Sequence, residues 1–311
     1  MKKKILITGS SGMVGKSLIR LLKQNNFILT PNSKELDLTN SEQVHNYLLN
    51  KKPSHIIHLA GYIGGLGASI NEPINFLQEN MLMGINLIKF AHKLKIKNFL
   101  NIGSSCIYEP NRKKPVKENQ LLKGNIEVTN EGYGLAKISS IKLCEYISKN
   151  YNYNYFSLIP CNIYGPFDKF DVRKGHVIGS LIKKICLAKQ KGVKTVEIWG
   201  SGKVKRELIY VDDVSRAILK FLFNKKLTQN KIYWINVGVN KDYKIIDIAK
   251  KIALILNYQG KFKTNLKMPD GAKSKLMNSK KIMKFGWKTK INLHNGLKKT
   301  IDWYKENEGF I

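Results

Sequence analysis

Acidic residues are scarce in this chain: 22 Asp and Glu stand against 54 Lys and Arg, a formal net charge of +32 at pH 7. An excess of one sign raises the question of a nucleic-acid partner. The lysines, however, are scattered through every segment and no basic low-complexity tail collects them. That argues against nucleic acid and leaves a milder consequence, attraction of an anionic nucleotide. Lys and Asn are both abundant, which fits an AT-rich coding bias. Cysteine is sparse too. Cys106, Cys144, Cys161 and Cys186 show neither metal-type pairing nor the density of a disulfide framework, so no metal is expected and a reduced, cytoplasmic setting is implied. No apolar run nears the roughly 18–20 residues that a membrane helix needs, so no membrane association is expected. Lys2-Lys3-Lys4 leads into a short strand rather than a signal-peptide core. What is present, 311 residues of which 43% are hydrophobic, suffices for a sizeable core and one or two domains.

The first structured stretch is Lys4-Ile5-Leu6-Ile7-Thr8, a buried-strand pattern. Gly9-Ser10-Ser11-Gly12-Met13-Val14-Gly15 follows, and then the helical periodicity of Leu18, Ile19, Leu21 and Leu22. Strand, glycine turn, helix is the setting a dinucleotide fingerprint requires. Small residues let the backbone approach a pyrophosphate, and the helix N-terminus offers N–H donors to it. A second strand, Phe27–Thr30, lacks the acid at its end that would bind a ribose 2′-hydroxyl. Ser33 and Lys34 stand there instead and suit a 2′-phosphate, which leans toward NADP(H). Asp37-Leu38 reads either as an adenine contact or as the N-cap region before Ser41-Glu42.

A third strand, His55–Leu59, ends in Ala60-Gly61, and a glycine-rich loop runs from Tyr62 to Gly67. His55 and His58 lie three apart on a strand and so face opposite ways, as sheet residues rather than ligands. A long helix is predicted from about Pro73 to Leu94. The fourth strand, Asn98–Ile102, delivers Gly103-Ser104-Ser105-Cys106-Ile107-Tyr108 at its carboxyl end, where α/β folds keep their chemistry. Some thirty residues on comes Gly132-Tyr133-Gly134-Leu135-Ala136-Lys137. Tyr133 and Lys137 share one helix face. A free Tyr, with a pKa of about 10, is a poor acid–base group, and a nearby ammonium favours its phenolate. A Ser hydroxyl beside them suits a carbonyl substrate. Tyr-x-x-x-Lys alone arises by chance in many helices; its weight here comes from the turn and the Ser loop that precede it.

Taken together, these motifs resemble the extended short-chain dehydrogenase/reductases that act on nucleotide sugars. The 4,6-dehydratases of that group carry Asp-Glu after the loop Ser or Thr, where this chain has Cys106-Ile107. Ser-Ser-Cys-Ile-Tyr is instead similar to the GDP-L-fucose synthase family, the GDP-4-keto-6-deoxymannose 3,5-epimerase/4-reductases. The likeness continues through Asn130-Glu131-Gly132-Tyr133, Pro160-Cys161-Asn162-Ile163-Tyr164-Gly165-Pro166, His176-Val177-Ile178, Trp199-Gly200-Ser201-Gly202, Arg206-Glu207-Leu208, Met268-Pro269-Asp270-Gly271 and Phe285-Gly286-Trp287. It spans essentially the whole chain.

The resemblance implies a reductase trio of Ser104, Tyr133 and Lys137, with Cys106 and His176 as the base and acid of epimerisation. It implies NADP(H) held by Gly9 to Gly15, Ser33, Asp37, Leu38, Ala60, Gly61, Tyr133, Lys137, Pro160, Asn162, Ile163 and His176. It implies a GDP-linked 4-keto sugar held by Ser104, Ser105, Cys106, Asn162, Lys184, Trp199, Arg206 and Asp270. Three departures stand out. Ser10-Ser11 replaces a turn that often carries a basic residue, Lys184 stands where Arg is common and loses its bidentate fork, and Gly179 stands where Pro is usual. The implied fold is α/β. A Rossmann-like doubly wound parallel sheet would occupy residues 1–166 with return segments at about 209–240, and a smaller mixed substrate domain would occupy 167–311. Lys231–Asn236 is predicted as a strand and Val211–Phe223 as a helix of the returning segment. Helices at 73–94 and 131–149 would pair across a homodimer. Two alternatives stay open: a C4 reductase acting on a pre-epimerised GDP-4-keto-6-deoxy sugar or heptose, and a nucleotide-sensing binding protein without turnover.

Overall fold

The computed structural model describes residues 3–22, 27–173 and 175–308; Lys2 of the leading lysine triplet lies outside them. Strand β1 (Lys4–Thr8), helix α1 (Met13–Leu21), β2 (Phe27–Leu29), α2 (Ser41–Lys51), β3 (His55–His58), α3 (Leu66–Asn71), α4 (Pro73–Lys93), β4 (Asn98–Ile102), α5 (Glu131–Tyr151) and β5 (Asn154–Pro160) make the first half. The chain continues with β6 (Asn162–Tyr164), α6 (Val177–Gln190), β7 (Thr195–Trp199), β8 (Lys205–Tyr210), α7 (Val211–Leu222), α8 (Lys226–Gln229), β9 (Trp234–Val237), β10 (Asp242–Lys244), α9 (Ile245–Leu256), β11 (Lys261–Asn265), α10 (Lys280–Lys284) and α11 (Leu293–Asn307).

The main sheet is parallel throughout, in the order β2-β1-β3-β4-β5-β9. Its strands are apolar on both faces because helices cover both. On β1, Ile5 and Ile7 pack with Leu18, Ile218 and Phe221 under α1 and α7, while Leu6 between them faces the cluster of Val44, Leu87 and Ile147 under α2, α4 and α5. Strand order reverses beside β1, and that reversal opens a crevice at the carboxyl ends of β1 and β3. Two small sheets stand beyond the main one: β10-β8-β6, and β11 paired parallel with β7. They pack on α6, α9 and α11 around Ile182, Ile185, Ile248, Ile252, Leu297 and Ile301.

Several expectations need correction. The segment from Lys231 is not strand from its start: Lys231 takes a left-handed φ of 55° in the turn after α8, and pairing begins at Trp234. The loop after β3 is shorter than predicted, since α3 already begins at Leu66. Asn162–Tyr164, read only as a motif after the fifth strand, pairs with Leu208–Tyr210 and leaves the main sheet for the second. Helix α2 is capped by Asn40, whose side chain accepts from Glu42 and Gln43 N–H. Asp37 instead accepts from Thr39 N–H and Oγ1 at 2.9 and 2.7 Å.

Candidate active site

The glycine turn is built for close approach. Gly9 has φ +69°, and a Cβ there would sit 2.6 Å from Ala60 N; a Cβ on Gly15 would sit 2.4 Å from Gly9 O. Each glycine is therefore required where β1, α1 and the end of β3 converge. Gly12 caps α1 with no side-chain acceptor on the helix N–H groups.

Across the crevice, β4 ends in Gly103 and a single 3₁₀ turn, Ser105–Ile107. Ser104 caps that turn, its Oγ accepting Cys106 N–H at 3.2 Å. The Ser104 hydroxyl hydrogen is thus left to donate elsewhere. Lys275 donates to Cys106 Sγ at 3.7 Å and also pairs with Glu127. Helix α5 starts at Glu131, which puts Tyr133 in its first turn and Lys137 one turn on, with Lys137 Nζ 5.5 Å from the Tyr133 ring centre. Burial pushes the Tyr133 phenol well above its usual range, and the neighbouring Cys106 adds to the rise. Burial also pulls Lys137 down to about 8. The expected lowering of Tyr133 by Lys137 is not found: desolvation of the buried phenol dominates. A protonated Tyr133 is the form that can give up a proton.

These groups share one cleft of about 410 Å³. Gly9, Gly12, Met13, Val14, Gly15 and Gly61 line its dinucleotide side. Ser104, Ser105, Cys106, Tyr133 and Lys137 line its middle, and Pro160, Asn162, Ile163 and His176 close it. Lys184, Trp199, Arg206 and Asp270 form its outer end. Lys184 Nζ lies 4.8 Å over the Trp199 ring, and both also line an adjoining hollow of about 840 Å³ between α6 and β7. Asp270 is fixed by Ser201 N–H at 2.7 Å, and Arg206 donates to Ala272 O at 2.7 Å.

Six predicted cofactor residues do not line the cleft: Ser10, Ser11, Ser33, Asp37, Leu38 and Ala60. Ser10 is buried beneath Gly15, Leu38 lies in the core, and Ser11 and Ser33 are exposed. Sequence reasoning missed Glu127 and Lys275, which do line it. Lys275 had no signal among so many lysines. Among the described residues, no group of three or more His, Cys, Asp or Glu is placed to hold a metal ion, and no helix is long and apolar enough to cross a membrane.

His176 caps α6, and its Nδ1 lies 3.3 Å from Asp168 Oδ1. Burial pulls this imidazole down, but the hydrogen bond and charge of Asp168 together outweigh it and leave the ring raised above its ordinary value.

Residues 5–238 match the model of the NAD dependent epimerase/dehydratase family. The chain belongs to that family. It is 44% identical to the GDP-L-colitose synthase of Yersinia pseudotuberculosis, over 97% of each chain. It is 39% identical to the GDP-L-fucose synthase of Azorhizobium caulinodans, over 97% of this chain and 96% of that one. Among solved structures, MlghC, a GDP-mannoheptose C4 reductase from Campylobacter jejuni with NADP bound, superposes with a TM-score of 0.85 at 30% identity over 98% of both chains. As a family member, the chain carries its glycine turn and its Ser104, Tyr133 and Lys137 on the elements that the motifs predicted.

Proposed function

We propose that the chain is an NADPH-dependent enzyme that inverts C3 and C5 of a GDP-4-keto-6-deoxyhexose and reduces its C4 ketone. The observation that carries this reading is the meeting of Ser104, Cys106, Tyr133, Lys137 and His176 in one cleft with the glycine turn. The cofactor fits. Gly9 and Gly15 let β1, α1 and the end of β3 pack closely, and the uncapped α1 N–H groups beside Gly12, where a Cβ would meet only Gly9 O at 3.3 Å, suit a pyrophosphate. Lys137 would hold ribose hydroxyls, and Ser33 with Lys34, exposed in the turn that follows β2, would meet a 2′-phosphate. The relative solved with NADP bound supports the same choice. When bound, the cofactor supplies hydride. The GDP moiety would take the outer end, with Lys184 and Arg206 on its phosphates and the hollow beside Trp199 for its base.

The 4-keto group acidifies the protons at C3 and C5. Cys106 removes one and His176 returns one to the opposite face. At C4, Ser104 donates a hydrogen bond to the ketone oxygen while Tyr133 gives it a proton. Residues 1–166 with 209–240 would form the cofactor domain and the remainder the substrate domain. A homodimer would cover Ile74, Leu82, Leu135 and Tyr146, which α4 and α5 leave exposed; sedimentation velocity of wild type against Leu135→Glu reads this directly.

The second reading, a C4 reductase alone, draws on the C4 reductase among the structural relatives. One experiment separates the two. Pure protein is given GDP-4-keto-6-deoxymannose with NADPH or NADH in D₂O, and the product is read by NMR. The proposed reading expects an L-configured product, deuterium at C3 and C5, and a preference for NADPH. Reduction without deuterium leaves the reductase reading standing alone; no turnover with either cofactor rejects the proposed reading, and no turnover of the pre-epimerised sugar as well rejects both.

A further inference from the structure

Asp168 lies in the loop that links β6 to α6. Its side chain is 3% exposed, against 39% for His176. Asp168 Oδ1 accepts Lys169 N–H at 2.8 Å and meets His176 Nδ1 at 3.3 Å. Its other oxygen, Oδ2, is buried and has no hydrogen-bond partner among the described residues. A carboxylate that serves only to brace loops is satisfied at both oxygens. Glu207 shows the pattern here, with Val239 and Asn240 N–H on Oε1 and Met277 N–H on Oε2. Asp168 does not follow it, so its buried charge must be balanced by something other than backbone. Among the described residues, the one side chain bonded to it that can carry a compensating charge is the His176 imidazole. Gly179, at the first turn of α6, leaves room for this contact: a Cβ there would lie 3.5 Å from Asp168 Oδ2 and 2.8 Å from Lys169 O.

We propose that Asp168 is a positioning residue for His176, fixing the ring through Nδ1 so that Nε2 alone exchanges protons with the sugar, and holding the imidazolium form in which His176 donates. The proposal rests on the epimerase reading above. The proton balance closes. The Nε2–H of the imidazolium protonates a ring carbon from which Cys106 has taken a proton. The neutral ring keeps its Nδ1–H on Asp168, whose carboxylate stays ionised. Nε2 then regains a proton from solvent, which the 39% exposed ring reaches. Two inversions need two protons from His176 and place two on Cys106, so within one catalytic cycle the imidazole must recharge from solvent and the Cys106 thiol must release its proton to solvent. Lys169 is the cation whose charge opposes the imidazolium, while Arg173, Lys184 and Cys106 line the same cleft.

The test compares wild type with Asp168→Asn and Asp168→Glu in three measurements. These are deuterium uptake at C3 and C5 against pH, C4 reduction of the already inverted sugar, and NMR titration of His176, assigned with His176→Asn. Asp168→Asn should slow deuterium uptake about 10- to 100-fold at neutral pH and move its alkaline limb and the His176 titration to lower pH by about one unit. C4 reduction should fall far less, and Asp168→Glu should recover part of the loss. An Asn variant with unchanged exchange and an unmoved His176 titration overturns the proposal, as does one in which exchange and reduction fall equally. Should the Asn variant not fold, wild-type His176 still decides: a titration at or below about 6.5 overturns the proposal and one above it supports it. Wild type that takes up no deuterium at all overturns the epimerase reading, and this role with it.

Discussion

At the residue scale, the proposed reductase trio of Ser104, Tyr133 and Lys137 would depend on which form each group holds. Burial keeps Tyr133 protonated, which suits a donor, and Tyr133→Phe should cost on the order of 10²–10⁴ in reduction rate while NADPH binding persists. Lys137 is held down to about 8, so its charge is present below that pH and lost above it. Reduction should therefore decline as pH rises through about 8. Lys137→Arg, which stays charged there, should lower the rate yet flatten the alkaline limb. A pH profile of kcat/KM for both proteins checks this. The trio was legible because Ser104, Tyr133 and Lys137 lie in short motifs at recognisable spacing. Asp168 and Lys275 were not. Their contacts with His176 and Cys106 lie 8 and 169 residues away in sequence, and nothing local marks either of them.

At the scale of elements, the helix that carries Tyr133 and Lys137 is located by its fit to α4. A Cβ on Gly84 would lie 2.2 Å from Ser140 Oγ and 3.4 Å from its Cβ, so the two helices meet at their small residues. Gly84→Ala should destabilise the fold by about 1–3 kcal/mol through overpacking. Adding Ser140→Ala should recover most of that loss, giving a favourable coupling in a double-mutant cycle of urea melts. The main strands and long helices were legible because their apolar periods run for many residues. The fate of Asn162–Tyr164 was not. Three residues carry no period of their own, and the sheet they join is decided by their pairing with Leu208–Tyr210. The start of β9 was misplaced for a related reason: the apolar run from Ile232 overlaps a turn that Lys231 closes in the left-handed region.

At the scale of the whole molecule, a charge of +32 surrounds a cleft that admits two anionic ligands. KM for both nucleotide substrates should rise steeply between low and physiological ionic strength, with kcat changing little, because screening acts on encounter rather than on chemistry inside the cleft. Steady-state kinetics across a salt series measures it. The routing of the chain adds a mechanical consequence. The polypeptide leaves the main sheet after β5, returns through α7 to β9, and departs again into β10. It comes back to the main core once more at residues 277–287 and leaves again for α11, so five covalent passages join the two cores, where a single linker would act as a free pivot. A door hung along its whole edge can flex but cannot swing wide. Ligands must then enter and leave by the displacement of rim loops, and that traffic, rather than any gross parting of the two halves, would set the upper limit on turnover.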